Sequence, residues 1–291
     1  MQPTPDRRGN LALHRPHRLS SFRKISLGTW QTAYDPQVYG TLELRVDAAL
    51  AYLERWRAAT GRRLTLTHLM GKALALALAR VPDANAVLRF NRPWRRRSIG
   101  IFFQVVLTDE GDDKVDLSGL TLYDVDQKDL STLLDEFEQK VQAVRMRADP
   151  ALEKTRGAFA PVPSLIMNPI LKLLTLLCIT FNLDLRRFGI PRDPFGSAMI
   201  TNVGSLGLDV AYAPLVPYSG VPIILAVGEA RRVPVVEGEQ VVPGWMMKVN
   251  ATFDHRLIDG YHAAVMSRTL RGCFAEPDRY FGPIPGAPSP T

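Results

Sequence analysis

The chain of 291 residues is 46% hydrophobic and 22% charged, which excludes intrinsic disorder over most of its length. A formal net charge of +7 favours acidic partners. Because the arginine pairs are scattered and no aromatic recognition motif accompanies them, nucleic acid is not expected among those partners.

The two cysteines and the amino terminus predict a reducing, cytoplasmic location. Cys178 and Cys273 are too few for a disulfide framework and form no Cys-x-x-Cys pair, so both are expected to be small buried apolar residues. The first residues are rich in arginine and proline and contain no apolar core of signal-peptide length.

Composition predicts a single folded domain over residues 19–281. A basic flexible tail (1–18) precedes it and a proline-rich tail (282–291) follows it. No internal repeat and no long Gly-rich or Ser-rich linker divides the domain.

Hydrophobic periodicity predicts helices and strands in an order that defines the fold class. Helices are expected at 48–60, with Asp47 as cap and Gly61 as stop, and at 67–80, 130–147 and 259–274. Strands are expected at 98–107, 115–125, 198–203, 222–228, 233–236, 240–242 and 246–253. Helices early, strands grouped late and no regular βαβ alternation predict an α/β fold with a mixed sheet and helices on one side.

Residues 165–181 form the most hydrophobic stretch, within an apolar helical insertion at about 161–190. Asn168, Pro169 and Lys172 interrupt the stretch, which argues against a membrane-spanning helix. A helix that begins at Pro169 would be apolar almost all round. We favour a core or interface helix; a helix at a membrane surface or against a partner protein is the alternative.

The segment Asp254-His255-Arg256-Leu257-Ile258-Asp259-Gly260 lies where a predicted strand ends and a helix begins. Histidine exchanges a proton near neutral pH, so His255 on a rigid strand end is suited to general-base chemistry. Asp259 could cap the following helix or accept a bond from an arginine, and Gly260 could allow close backbone approach. On residue types alone, an ordinary strand-end histidine beside an N-cap explains the segment equally well.

The wider context resembles one family. Asp-His-Arg-x-x-Asp-Gly before a small-residue helix resembles the signature of the 2-oxoacid dehydrogenase acyltransferases, whose fold is related to chloramphenicol acetyltransferase. Two further segments, 198–204 (Ala-Met-Ile-Thr-Asn-Val-Gly) and 223–228 (Ile-Ile-Leu-Ala-Val-Gly), look like other parts of that catalytic domain. With the opening segments 22–25 and 64–86, the resemblance covers about residues 19–282.

The resemblance implies a two-layer chloramphenicol acetyltransferase-like fold and a site. His255 would be the general base, and Thr201 would donate a hydrogen bond to the oxyanion. Asp259 would be the third residue of this catalytic set. Its role would be structural, with Arg23 as its salt-bridge partner. Gly260 and Asn202 would support the site. Residues that bind the cofactor are left unassigned.

The resemblance also implies partners. Coenzyme A or acyl-coenzyme A would be a substrate, and a thiol, hydroxyl or amine would be the acceptor. His255 and Thr201 would come from different chains of a homotrimer, with or without a larger assembly. No metal is expected, no lipoyl group is expected on this chain, and a separate carrier or partner protein would supply the acceptor.

The sequence departs from the family pattern in two places, which leaves a second hypothesis open. Residues 112–117 replace a familiar Gly-Leu-x-x-Pro-Val segment, and the apolar insertion has no counterpart in the usual short link before Ala198. The alternative function is a catalytically idle homologue that acts as an oligomeric scaffold or assembly core, which the expected lack of carrier domains on this chain favours. Retention of His255, Thr201, Asp259 and Gly260 together favours the enzyme.

Overall fold

A computed structural model of the chain describes residues 10, 13–14, 36–108, 115–146 and 163–286. Its helices are α1 (Asp47–Thr60), α2 (Leu66–Arg80), α3 (Leu130–Arg145), α4 (Ser164–Thr175), α5 (Gly260–Ala275) and α6 (Pro277–Phe281). Its strands are β1 (Leu13–His14), β2 (Gln37–Arg45), β3 (Ala86–Arg89), β4 (Arg92–Arg96), β5 (Ile101–Thr108), β6 (Val115–Leu122), β7 (Ala198–Asn202), β8 (Ile223–Glu237) and β9 (Gln240–Asp254).

A six-stranded mixed sheet in the order β2-β9-β8-β7-β5-β6 forms the centre of the fold. β7 is parallel to both β5 and β8, whereas the other neighbouring strands are antiparallel. A small second sheet has the order β1-β4-β3. The predicted α/β class with a mixed sheet is confirmed.

One face of the large sheet carries the main hydrophobic core. Phe103, Ile200 and Leu225 of the sheet belong to the same buried cluster as Trp56 of α1 and Leu74 of α2. α5 joins the cluster through its own buried side chains, Met266, Leu270, Cys273 and Phe274. Burial of this apolar layer holds the strand ends in fixed positions.

The opposite sheet face is partly covered by the apolar insertion. α4 begins at Ser164, five residues before the predicted start, with Pro169 inside it, and continues as a π-helix over Leu176–Thr180. Ile179 is buried against Val87 and Leu13, while Leu173 is 53% exposed. The helix is therefore buried on one side only, and no helix within the described ranges has the length and hydropathy to span a membrane.

Four predicted strands are in fact two long ones. The segments at 222–228 and 233–236 belong to β8, and those at 240–242 and 246–253 belong to β9, joined by a tight turn with Gly238 in the left-handed region. A register shift between Val227 and Ala230 marks an irregularity in the β8–β9 pair. Pro234 lies opposite Pro243, and Pro243 with Gly244 accounts for the predicted interruption between 242 and 246.

The start of α1 and the start of the carboxy-terminal tail differ from the prediction. Asp47 is the first residue of α1 rather than its cap, because its carboxylate accepts from the backbone N–H of Trp245 instead of from the helix. The predicted tail at 282–291 begins with packed residues. Ile284 is buried, and the Gly282 carbonyl accepts from the Tyr52 hydroxyl at 3.1 Å.

His68 on α2 provides a test of the core through acid stability. Its ring packs edge-on against Phe137 with centroids 4.4 Å apart, and burial, with the nearby Arg63 charge, lowers the pKa of His68 to about 4. The unfolded ring takes up a proton near pH 6.5, whereas the folded ring does not until about pH 4. Stability should therefore fall as pH falls through this window, by roughly 3 kcal/mol in free energy of unfolding.

Denaturant unfolding of the chain and of His68→Phe between pH 4 and 7 checks this expectation. Phenylalanine keeps the aromatic contact with Phe137 but cannot be protonated. The free energy of unfolding of the variant should therefore depend less on pH over that range. Equal pH slopes for the two proteins would contradict the role given to His68.

Candidate active site

His255 is the first residue after β9, as the sequence predicts, and its backbone is fixed by neighbouring strands. Its N–H donates to the Pro36 carbonyl at 3.0 Å, just before β2 begins. The N–H of the preceding Asp254 donates to the Pro222 carbonyl at 2.8 Å, just before β8. The imidazole is half-buried, so a rigid strand end holds a ring that solvent and substrate can reach.

The carboxylate of Asp254 stabilises the turn that follows His255. It is buried and accepts from the Arg256 backbone N–H and, through both oxygens, from the Arg256 guanidinium at 2.7–3.1 Å. The backbone N–H groups of Leu257 and Ile258 donate to the Asp254 carbonyl. Both of these apolar side chains are buried in the core. The Asp-His-Arg triplet therefore presents the histidine from a closed, hydrogen-bonded turn.

Asp259 is the N-cap of α5, one of the two roles predicted for it. Its side chain accepts from the His262 backbone N–H at 3.0 Å, and the His262 ring accepts from the Asp259 N–H at 3.2 Å. This capping box fixes the start of α5. Sequence reasoning missed His262, although an Asp followed three residues later by a polar ring is a recognisable cap pattern. Arg23, the predicted partner of Asp259, lies outside the described residues.

Gly260 does not have its predicted role in the described structure. A Cβ at this position would meet nothing within 4 Å, and the residue is simply the first of α5. Close backbone approach is found instead at two glycines of the other motif segments. A Cβ on Gly204 would lie 2.5 Å from the Glu229 nitrogen, and one on Gly228 would lie 2.5 Å from the Asp209 carbonyl oxygen. These glycines let the chain after β7 pack directly on β8.

Thr201 lies on β7 and lines the sheet face opposite the main core, alongside Met199. The next residue, Asn202, points the other way and donates to the Thr67 hydroxyl at 2.9 Å. Its side-chain oxygen accepts from the Ser205 N–H at 3.0 Å. Asn202 therefore ties the end of β7 to α2, a supporting role, while Thr201 carries a hydroxyl on the accessible face.

Strand register separates His255 from Thr201 within one chain. Thr201 pairs with Ala226, Ala226 pairs with Asn250, and His255 lies five residues further along the chain, just past the end of β9. This offset is about 17 Å along the strands and about 10 Å across two strand spacings, so the residues lie roughly 20 Å apart. A single chain does not bring the two predicted catalytic side chains together.

A cavity of about 610 Å³ lies between the Thr201 face of the sheet and the insertion. Sheet residues, α4 and its π-helix, and the loops at 190–195 and 213–219 line it. Phe195 of the first loop packs against Phe102 and Tyr218, with centroids 5.5 and 5.7 Å apart. Thr201 is part of the cavity wall.

Hydrogen bonds and an ion pair anchor the loop at 190–195. The buried Arg96 guanidinium donates to both Asp193 oxygens at 2.6–2.7 Å. The Tyr123 hydroxyl donates to the Asp193 carbonyl, and the Thr121 hydroxyl donates to the Pro194 carbonyl. Desolvation raises the pKa of Tyr123, so it remains a donor. The cavity therefore has a rigid wall on this side.

Comparison with known proteins identifies the segment that carries His255. Residues 195–281 match the catalytic domain of the 2-oxoacid dehydrogenases acyltransferase family. The predicted resemblance to this family is confirmed. The chain is also 23% identical, over 267 residues, to the dihydrolipoyllysine-residue acetyltransferase component of the acetoin cleaving system of Bacillus subtilis. That match covers 89% of this chain and 55% of the relative, so the chain spans about half the relative's length.

Two solved structures share the fold of this chain. The cubic core of the pyruvate dehydrogenase multienzyme complex superposes with a TM-score of 0.63 at 20% identity, covering 92% of this chain and 99% of that one. Chloramphenicol acetyltransferase superposes with a TM-score of 0.50 at 14% identity, covering 87% and 94%. The predicted chloramphenicol acetyltransferase-like architecture is confirmed.

Metal ligation has no support in the described part of the chain. None of its His, Cys, Asp and Glu side chains form a group of three that could hold a metal ion. His262, which lies seven residues after His255, is engaged in the cap of α5.

Proposed function

We propose that the chain is an acyltransferase that moves an acyl group between coenzyme A and a thiol, hydroxyl or amine acceptor. The observation that carries the proposal is the position of His255, half-buried at the fixed end of β9 in a segment that matches the family's catalytic domain. A general base has to be held rigidly yet remain open to substrate, and this turn meets both needs.

Each step of the reaction has a group on the chain. The imidazole of His255 takes the proton of the acceptor as its sulfur, oxygen or nitrogen attacks the thioester carbonyl. The Thr201 hydroxyl donates a hydrogen bond to the oxyanion of the tetrahedral intermediate. The intermediate collapses, the carbon–sulfur bond breaks, and the coenzyme A thiolate receives the proton from the imidazolium. Asp259 keeps the end of the catalytic turn in place by capping α5.

The separation of roughly 20 Å between His255 and Thr201 favours a site shared between subunits. In a homotrimer, each site would combine His255 of one chain with Thr201 of its neighbour. A solved relative forms the cubic core of a multienzyme complex, which supports an oligomeric arrangement for this fold. We propose that a separate carrier protein presents the acceptor to this shared site.

Mixed oligomers provide the test. Oligomers made only of His255→Ala chains, or only of Thr201→Val chains, should both have strongly reduced acyl transfer. When the two variants are co-expressed with different tags and purified through both tags, every trimer contains both variants. In each such trimer, one of the three subunit boundaries combines an intact His255 with an intact Thr201. Acyl-coenzyme A turnover in these trimers should therefore recover to about one third of the native rate, because symmetry gives one complete site in three.

The matched control is a mixed oligomer of two differently tagged His255→Ala chains, which should stay inactive. Turnover in the His255→Ala/Thr201→Val mixture that remains at the level of the single variants would contradict the shared site. A protein without acyl transfer in its native form would instead indicate the scaffold hypothesis.

A further inference from the structure

The cavity beneath α4 has the dimensions and chemistry of a ligand site. Its volume of about 610 Å³ lies within the usual range for small-molecule pockets, about 300–1,000 Å³. Leu171 and Leu174 of α4 face Phe102, Met199 and Ile224 of the sheet across it. These side chains make an apolar channel between the insertion and the strands.

The lining includes uncharged polar residues on sheet strands, and the acidic residue of the lining is paired with an arginine. Thr201 and Gln104 contribute uncharged polar groups from β7 and β5. The Asp193 carboxylate is engaged by Arg96, with both oxygens bonded. The cavity therefore favours a ligand with a long apolar part and one uncharged polar group near Thr201.

We infer that this cavity receives the apolar acyl chain of the thioester substrate, with its carbonyl at Thr201 and its hydrocarbon under α4. The inference rests on the proposed function, because it takes Thr201 as the oxyanion donor. It assigns the substrate class as medium-chain to long-chain or bulky apolar acyl groups rather than acetyl alone. The insertion then acts as the cover of an acyl pocket.

The length of the alkyl group on coenzyme A should control the affinity of the cavity for the ligand. Each methylene buried in an apolar site improves binding about fourfold, which corresponds to about 0.8 kcal/mol. S-ethyl, S-octyl and S-dodecyl coenzyme A thioethers are suitable probes, because they cannot be turned over. Calorimetry should show dissociation constants that fall steeply from ethyl to octyl and then level off once the cavity is filled.

Cys178 provides a readout within the cavity that is independent of catalysis. It lines the cavity and is half-buried, and burial raises its pKa, whereas the other cysteine, Cys273, is fully buried and burial raises the pKa of that thiol to about 12. A thiol reagent should therefore modify Cys178 selectively. The octyl probe at ten times its dissociation constant should slow this modification roughly tenfold, and the ethyl probe at the same concentration should not.

Two neighbouring leucines of α4 give a matched pair of variants. Leu174 lines the cavity, whereas Leu173 is 53% exposed. Leu174→Trp should fill the pocket and weaken octyl-probe binding at least tenfold, about 1.4 kcal/mol. Leu173→Trp adds the same indole on the outside and should bind the octyl probe as the native protein does.

The outcomes separate this inference from the proposed function. Chain-length-dependent binding that persists in His255→Ala supports the pocket even where turnover is lost. Binding of the octyl probe without any turnover by the native protein would overturn the acyltransferase and leave the apolar site standing. Turnover of acetyl-coenzyme A with equal affinity for all probes, and no protection of Cys178, would overturn the acyl pocket alone.

Discussion

Replacing His255 by alanine should lower acyl transfer by about two to four orders of magnitude, the usual contribution of a positioned general base. The fold should be unaffected, because the ring is half-buried and the turn is held by backbone bonds and by the Asp254–Arg256 pair. Alanine keeps the backbone N–H that donates to Pro36. Turnover of acyl-coenzyme A, measured beside circular dichroism and oligomer size, checks both parts of the expectation.

A second histidine in the same segment supplies the control. His262→Gln should preserve the capping box of α5, because the side-chain oxygen of a glutamine at this position can accept from the Asp259 N–H, and should change stability by less than about 1 kcal/mol. Acyl transfer should remain near the native rate, since His262 is assigned no part in the chemistry. Undiminished turnover in His255→Ala would contradict its role as base, whatever the control shows.

The sequence predicted the parts of the fold that local rules determine. Gly61 in the left-handed conformation ends α1, and Pro82 follows α2 closely, as their residue types require. The placement of His255 at a strand end and of Asp259 at a helix N-cap follows in the same way from residue pattern. Such signals depend on a few neighbouring residues and need no knowledge of distant contacts.

Strands whose sequences lack the usual strand and turn residues were not predicted. β3 and β4 are joined by Phe90 and Asn91, both with positive φ, where a tight hairpin normally has Asn-Gly or Asp-Gly. Pro93 within β4 also argues against a strand by local rules. The pairing of β4 with both β1 and β3 supplies what local propensity does not.

The geometry of the site depends on strand register, which no local pattern determines. The resemblance indicates that His255 and Thr201 act in one reaction, but their separation follows from the pairing of β7 with β8 and of β8 with β9. The cavity likewise depends on where the insertion packs. Periodicity identified residues 165–181 as apolar but left their location open, and only the tertiary structure places them against the second sheet face.

The buried Lys72 of α2 is expected to be the most important polar group for stability. Its ammonium group donates to three backbone carbonyls, those of Val125, Asp126 and Lys128, at 2.9, 2.8 and 2.6 Å. These bonds use all three of its donors. They fix the connection between β6 and α3, so Lys72 holds the core layer together rather than taking part in chemistry.

Lys72→Met should therefore lower the free energy of unfolding by about 3–5 kcal/mol, because a side chain of similar shape leaves one buried and two part-buried carbonyls without this donor. For a domain of this size the melting temperature should fall by roughly 10 °C. Lys172→Met on the exposed side of α4 makes the same chemical change in solvent and should alter stability by less than about 0.5 kcal/mol. Equal melting temperatures for the two variants would show that the carbonyls find other donors, and that Lys72 does not anchor the connection to α3.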